Sequence, residues 1–104
     1  MYPVITDERV RRFAYRLEPQ TRAKIARCII QLERFGYLLG MPHSKKISQD
    51  LYELRICGKQ EIRIFYAFRR GSAVLVHGFI KKSQQIPPQE IQIAQQRLRS
   101  FDAL

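Results

Sequence analysis

A chain of 104 residues, 45% hydrophobic and 27% charged, has the size of one domain and is too apolar to be disordered. Nineteen Lys and Arg against nine Asp and Glu leave a formal charge of +10, which points to a polyanion or an acidic partner. No run of ~18 apolar residues exists and no helix is both long and strongly apolar on one face, so neither a membrane span nor a membrane surface is expected.

The first residues, MYPVIT, can supply a short edge strand, which Pro3 weakens. Asp7 and Glu8 follow in place of the apolar run of a signal peptide, so a cytoplasmic protein is expected. Thr6-Asp7-Glu8-Arg9 reads as a helix start with Thr6 as its cap. The helix over residues 7–17 gathers Val10, Phe13, Ala14 and Leu17 on one side, and Pro19 punctuates. A second helix over 20–35 is the most regular segment. Ile25, Cys28, Ile29, Leu32 and Phe35 recur at helical spacing, and Gly36 stops it. Its other face carries Arg22, Lys24, Arg27, Gln31 and Arg34, read as a solvated surface with only a general attraction for RNA. Residues 37–50 are expected as a loop, broken by Gly40 and Pro42 and carrying Lys45 and Lys46.

Residues 51–83 organise the chain as three antiparallel strands, over 51–57, 61–68 and 73–79. Alternation decides the register of the first pair. Setting Ile56 against Ile62 and Leu54 against Ile64 keeps the aliphatics together and brings Arg55 opposite Arg63; a slip of one residue would turn every side chain over. Pairing Phe68 with Val74 then sets His77 opposite Phe65 and Phe79 opposite Arg63. One face is aliphatic and meant for helices. The other collects Arg55, Arg63 and His77, with Lys81 and Lys82 just beyond. Two arginines facing each other repel, so an anion belongs between them. Glu53 or Glu61 of the same hairpin is one candidate and a phosphate, matched to the guanidinium fork, is the other. Charged strand faces are common and favour the carboxylates; the cationic excess of the whole chain favours the phosphate.

After Ser83 the segment SQQIPPQEI turns into a last helix, with Pro87 or Pro88 in its first turn and Ile91, Ala94, Leu98 and Phe101 on its apolar edge. Arg97 and Arg99 keep it basic. Residues 1–104 thus read as a single α+β domain. Cys28 lies on a buried stripe and Cys57 beside a turn, a pair expected to stay reduced. His43 and His77 stand alone, so no metal spacing and no cofactor are expected.

The basic constellation suits RNA cleavage by 2′-OH attack, in which a base removes a proton, cations stabilise charge at phosphorus and an acid protonates the leaving oxygen. Arg55 and Arg63 fit the phosphate clamp; Lys81, Lys82 and His77 fit the proton-transfer groups. Plainer readings exist for each. His77 facing the last helix is a structural histidine, Lys81 and Lys82 an exposed strand exit, Tyr52 and Tyr66 core.

The strings LYELRI, EIRIFYAF and VLVHGFIKKSQQIPPQEIQIAQQR, with RAKIARCIIQLERFG before them, resemble the RelE/HigB superfamily of type II toxins, especially its phage-derived, host-inhibition-like subgroup. The resemblance implies two N-terminal helices on a small antiparallel sheet of three main strands, with a possible N-terminal edge strand and a C-terminal helix. It implies a metal-independent endonuclease that cuts mRNA in the ribosomal A site, hence mRNA and ribosomal RNA as partners, and neutralisation by a cognate antitoxin of helix-turn-helix type. Carried over residue by residue, the basic positions of the first long strand fall on Glu53 and Arg55, of which only Arg55 is charged as the family requires. The signature arginine falls on Arg63 and the basic pair after the last strand on Lys81 and Lys82. The match supports Arg55, Arg63 and Lys82 most directly, Lys81 and His77 less; Lys45, Lys46 and Arg97 are expected as RNA-binding charges. RelE proper places a tyrosine where this chain has Ile86-Pro87-Pro88. The other class of function is a non-catalytic basic module that binds RNA or an acidic partner, as a decayed toxin would.

Overall fold

Asp7, not Thr6, caps the first helix. Its carboxylate accepts a hydrogen bond from the Arg9 backbone N–H at 2.8 Å, while Thr6 is the last residue of the strand before it. The computed structural model describes residues 1–104 in the order β1 (Val4–Thr6), α1 (Glu8–Tyr15), α2 (Pro19–Phe35), a 3-10 turn (Gly36–Leu38), β2 (Ser44–Ser48), β3 (Leu51–Ile56), β4 (Ile62–Arg69), β5 (Ser72–Ile80) and α3 (Pro88–Asp102). Pro19 opens α2, where its missing N–H costs no bond. Gly36 ends it at φ +50, and a β-carbon there would press on the Tyr2 ring at 2.9 Å.

The sheet has five strands rather than three with an optional fourth, in the order β1-β5-β4-β3-β2. It is also mixed: β1 runs parallel to β5, and every other pair is antiparallel. The unexpected strand is β2, inside the segment read as a loop. SKKIS has no apolar alternation, because it is an edge strand whose lysines face solvent, and lysine is a common guard of sheet edges. Pro3 lies just ahead of β1, so the strand forms despite it, and its carbonyl accepts from the Ala73 N–H at 2.9 Å.

The β3–β4 register is the expected one, with Ile56 opposite Ile62, Leu54 opposite Ile64 and Arg55 opposite Arg63. The β4–β5 register holds only at its lower end, where Phe65 faces His77 and Arg63 faces Phe79. Above that point Phe68 faces Ala73 rather than Val74. The cause is the two-residue turn Arg70-Gly71, with φ +51 and +77, which locks Arg69 against Ser72. A bulge at Val76 absorbs the one-residue offset, so Val76 and His77 both project to the same side.

The two faces have different covers. Against one, α1 and α2 bury Val10, Ile25, Cys28 and Leu32 on Leu54, Ile56, Ile64, Tyr66 and Leu75. Against the other, α3 buries Ala94 and Leu98 on Leu51, Phe65, Ala67, Val74 and Val76. The second face is therefore not uniformly basic. The helix covers its upper part, where Arg69 pairs with Asp102 of α3, and Arg55 and Arg63 lie in the part that α3 leaves open. No helix is long and apolar enough to cross a membrane.

Candidate functional site

The uncovered part of the second face is an open groove of about 390 Å³, within the range of ligand clefts. Strand alternation puts Lys45 of β2, Glu53 and Arg55 of β3 and Arg63 of β4 on its floor, and Lys81 with Gln84, Gln85 and Ile86 along its wall. Arg55 and Arg63 are cross-strand neighbours, and Glu53 lies between their guanidinium groups. The Glu53 carboxylate is 3.4 Å from Arg55 Nη1 and 3.7 Å from Arg63 Nε. The protein's own acids thus occupy the gap between the arginines, the plainer of the two expectations.

Arg63 is only 3% exposed. Its Nη1 donates to the Ile62 carbonyl at 3.0 Å and its Nη2 to Glu61 at 3.3 Å. Burial alone would raise the Glu61 carboxyl, but hydrogen bonds from the Gly58 N–H, Cys57 and Arg63 outweigh it and hold the group below its ordinary value. Two buried atoms at the floor remain without a hydrogen bond, Arg63 Nε and Glu53 Oε1, and they face each other across that 3.7 Å gap. Lys81 is placed by two carbonyls: its ammonium donates to Ser83 at 2.7 Å and to Gln84 at 2.9 Å.

Other candidate residues lie elsewhere. Lys82 is exposed and does not line the groove, because alternation past Phe79 brings Lys81 inward and turns Lys82 away. Lys46 points to the opposite side of β2 from Lys45 and sits 5.8 Å from the centre of the Tyr52 ring. His77 is buried under α3 with both ring nitrogens taken, Nε2 by Glu90 at 2.8 Å and Nδ1 by Arg97 at 3.2 Å. Arginine only donates, so Nδ1 is the acceptor in the bond with Arg97, which leaves Nε2 to face the Glu90 carboxylate. Arg97 also donates to the Val76 carbonyl at 3.1 Å; burial, then the charge of Arg9, pushes its pKa below the ordinary arginine value. His77 and Arg97 therefore tie α3 to the sheet instead of facing the groove. Tyr66 is core, its hydroxyl joined to Ser44. Cys28 and Cys57 are both free. No group of three or more His, Cys, Asp and Glu side chains comes together as a metal cluster would.

Sequence reading did not single out Gln84 or Gln85, since nothing in SQQI announces that Lys81 folds the segment back over the sheet. The aliphatic side chain of Ile86 lines the groove in the neighbourhood where RelE proper has a tyrosine.

No curated protein matches the chain. A family profile described as "Phage derived protein Gp49-like (DUF891)" matches residues 13–99, from within α1 to within α3 and across the whole groove. That family is one of RelE/HigB-like toxins associated with toxin–antitoxin pairs, of RelE-like nuclease kind, and a cognate antitoxin is the partner such a toxin has. The chain belongs to the Gp49-like family of RelE/HigB-like toxins.

Proposed function

We propose that this toxin is a ribosome-dependent mRNA endonuclease whose groove holds the scissile phosphate. The observation that carries the reading is Arg63, a guanidinium 3% exposed that lines an open groove while its Nε–H has no partner. A buried donor left unpaired costs about 1–3 kcal/mol. An incoming phosphate would draw Arg55 away from Glu53, and the released carboxylate would close the 3.7 Å gap to Arg63. Substrate binding would then satisfy the orphaned pair while replacing the anion beside Arg55.

The chemistry follows from these groups. The 2′-oxygen attacks phosphorus as its proton passes to a base, the P–O5′ bond breaks, and the leaving oxygen takes a proton. The products are a 2′,3′-cyclic phosphate and a 5′-hydroxyl. Arg55 and Lys45 stabilise the charge that builds on the phosphoryl oxygens. Lys81, with two of its three N–H groups spent on carbonyls, has one left for the leaving oxygen. His77 takes no part, since both its nitrogens are engaged.

The second reading, a binding module without catalysis, is favoured by Glu53, which neutralises the two arginines, and by Ile86, which offers no hydroxyl. Induced expression separates the two. Transcript 5′ ends are mapped with and without translating ribosomes. Wild type should generate new ends only with ribosomes, and Arg55→Ala should lower cleavage by roughly 10²–10³-fold while its circular dichroism spectrum still shows a folded protein. Growth arrest without new ends supports the binding module. Full cleavage by Arg55→Ala rejects the groove as the active site.

A further inference from the structure

A second cavity, of about 360 Å³, opens between α2 and the end of β3. Lys24 and Arg27 border it from the helix, His43 from the turn before β2 and Arg55 from β3, and no acidic side chain lines it. Neither Lys24 nor Arg27 has an ion-pair partner anywhere in the fold. Lys24 is held in place, its ammonium donating to the Cys57 carbonyl at 3.3 Å over a turn where Gly58 leaves room for it. The first groove has Glu53 to offset its cations, whereas this cavity has nothing of the kind.

Arg55 borders both cavities. Antiparallel pairing of β2 with β3 ends at Ser44 and Leu54, and only the bond from the Arg55 N–H to the His43 carbonyl, at 2.8 Å, continues past it. The two cavities lie on opposite faces of the sheet, and Arg55 at this edge is the residue they share. Resting on the reading of the groove as an RNA site, the geometry points to a second phosphate subsite formed by Lys24, Arg27 and His43, which takes the backbone of the same RNA strand where it leaves the groove over Arg55. The continuity through Arg55 favours one strand of RNA over a separate acidic protein segment. The subsite adds affinity and sets how long a stretch of RNA is held, without reading its bases.

Cys57 reports on the cavity directly. It lines the cavity and is exposed, whereas Cys28 is buried and its thiol is pushed up by that burial, so alkylation follows Cys57. The test uses uncleavable 2′-O-methyl oligonucleotides of two lengths, a short one that fills the groove and a long one extended on both sides. The long RNA should bind more tightly and slow Cys57 alkylation; the short RNA should leave the thiol open. In Lys24→Gln/Arg27→Gln the long RNA should lose affinity on the order of tenfold with a salt slope shallower by about 1, and should no longer protect Cys57. Short-RNA binding and the melting curve of that variant should match wild type, which shows that it folds. Equal affinity of long and short RNA for wild type, with no protection of Cys57, overturns the subsite and leaves the groove standing. Absence of binding by either RNA overturns the groove and the subsite together. Protection by a polyglutamate peptide but not by the long RNA assigns the cavity to an acidic protein and overturns the RNA subsite.

Discussion

At the scale of single residues, Glu53 holds the site together and restrains it. It is 3% exposed and sits between two cations that would otherwise face each other across adjacent strands. Arg63 keeps Glu61 and Arg55 is partly exposed, so Glu53→Gln should destabilise the fold by about 1–3 kcal/mol in urea unfolding. The same variant frees Arg55 and Arg63 for a ligand. Sulfate, a stand-in for phosphate, should therefore raise the melting temperature of Glu53→Gln more than that of wild type. An equal rise in both proteins would mean that the guanidinium groups are closed to the groove. That Arg55 faces Arg63 was legible from alternation alone, as was the need for an anion between them. Which anion was not legible, because Glu53 shares that face only through the β3 pleat, and two residues of spacing do not show how deep a side chain lies. The family match put Lys82 ahead of Lys81, yet Lys81, which has the parity of Phe79, is the one that lines the groove.

At the scale of elements, α3 is fastened to the sheet at both ends by charge. Toward its start Glu90 and, two turns on, Arg97 both bond His77 of β5; at its end Arg69 bridges Asp102 at 2.8 Å and Asp50 by two nitrogens. Hydrogen bonds from Arg69 hold the Asp50 carboxyl below its ordinary value of 3.8. A carboxyl depressed in the folded state adds stability above its unfolded value and loses it as pH falls through the folded value. Wild-type stability should therefore decline below about pH 4 more steeply than that of Arg69→Gln, measured as the urea midpoint from pH 6 to pH 2. Parallel slopes would show that the bridge contributes nothing, as many exposed pairs do. The elements themselves were mostly readable: α1, α2 and α3 from their apolar spacing, and β3 to β5 from theirs. Two features escaped. The strand β2 is all polar but for Ile47, since its work is to guard an edge, and an edge strand with lysines lacks the pattern that marks a buried one. The bulge at Val76 escaped because two successive inward residues, Val76 and His77, break period two, and the neighbouring Gly78 was not read as its signal.

At the scale of the whole molecule, charge is the dominant property. Of 19 Lys and Arg side chains only Arg9, Arg11, Arg55, Lys59, Arg63 and Arg69 lie within ion-pair distance of a carboxylate. The remainder give the surface its field, and two of them, Lys24 and Arg27, border the cavity next to the groove. A partner that neutralises such a toxin gains most by presenting carboxylates where the cations converge, along the groove and over the adjoining edge. Its carboxylates would then stand where the proposed site would hold RNA phosphates. The toxin in complex with its antitoxin should bind a 2′-O-methyl RNA more weakly than the free toxin does, and with a shallower dependence on salt, because fewer counterions are released. Fluorescence anisotropy across a salt series measures both quantities. Weaker binding with an unchanged slope would mean that the partner blocks access without occupying the phosphate positions. Equal affinity and equal slope would mean that it binds elsewhere and leaves the cationic track free, so that neutralisation would have to act on ribosome entry rather than on RNA contact.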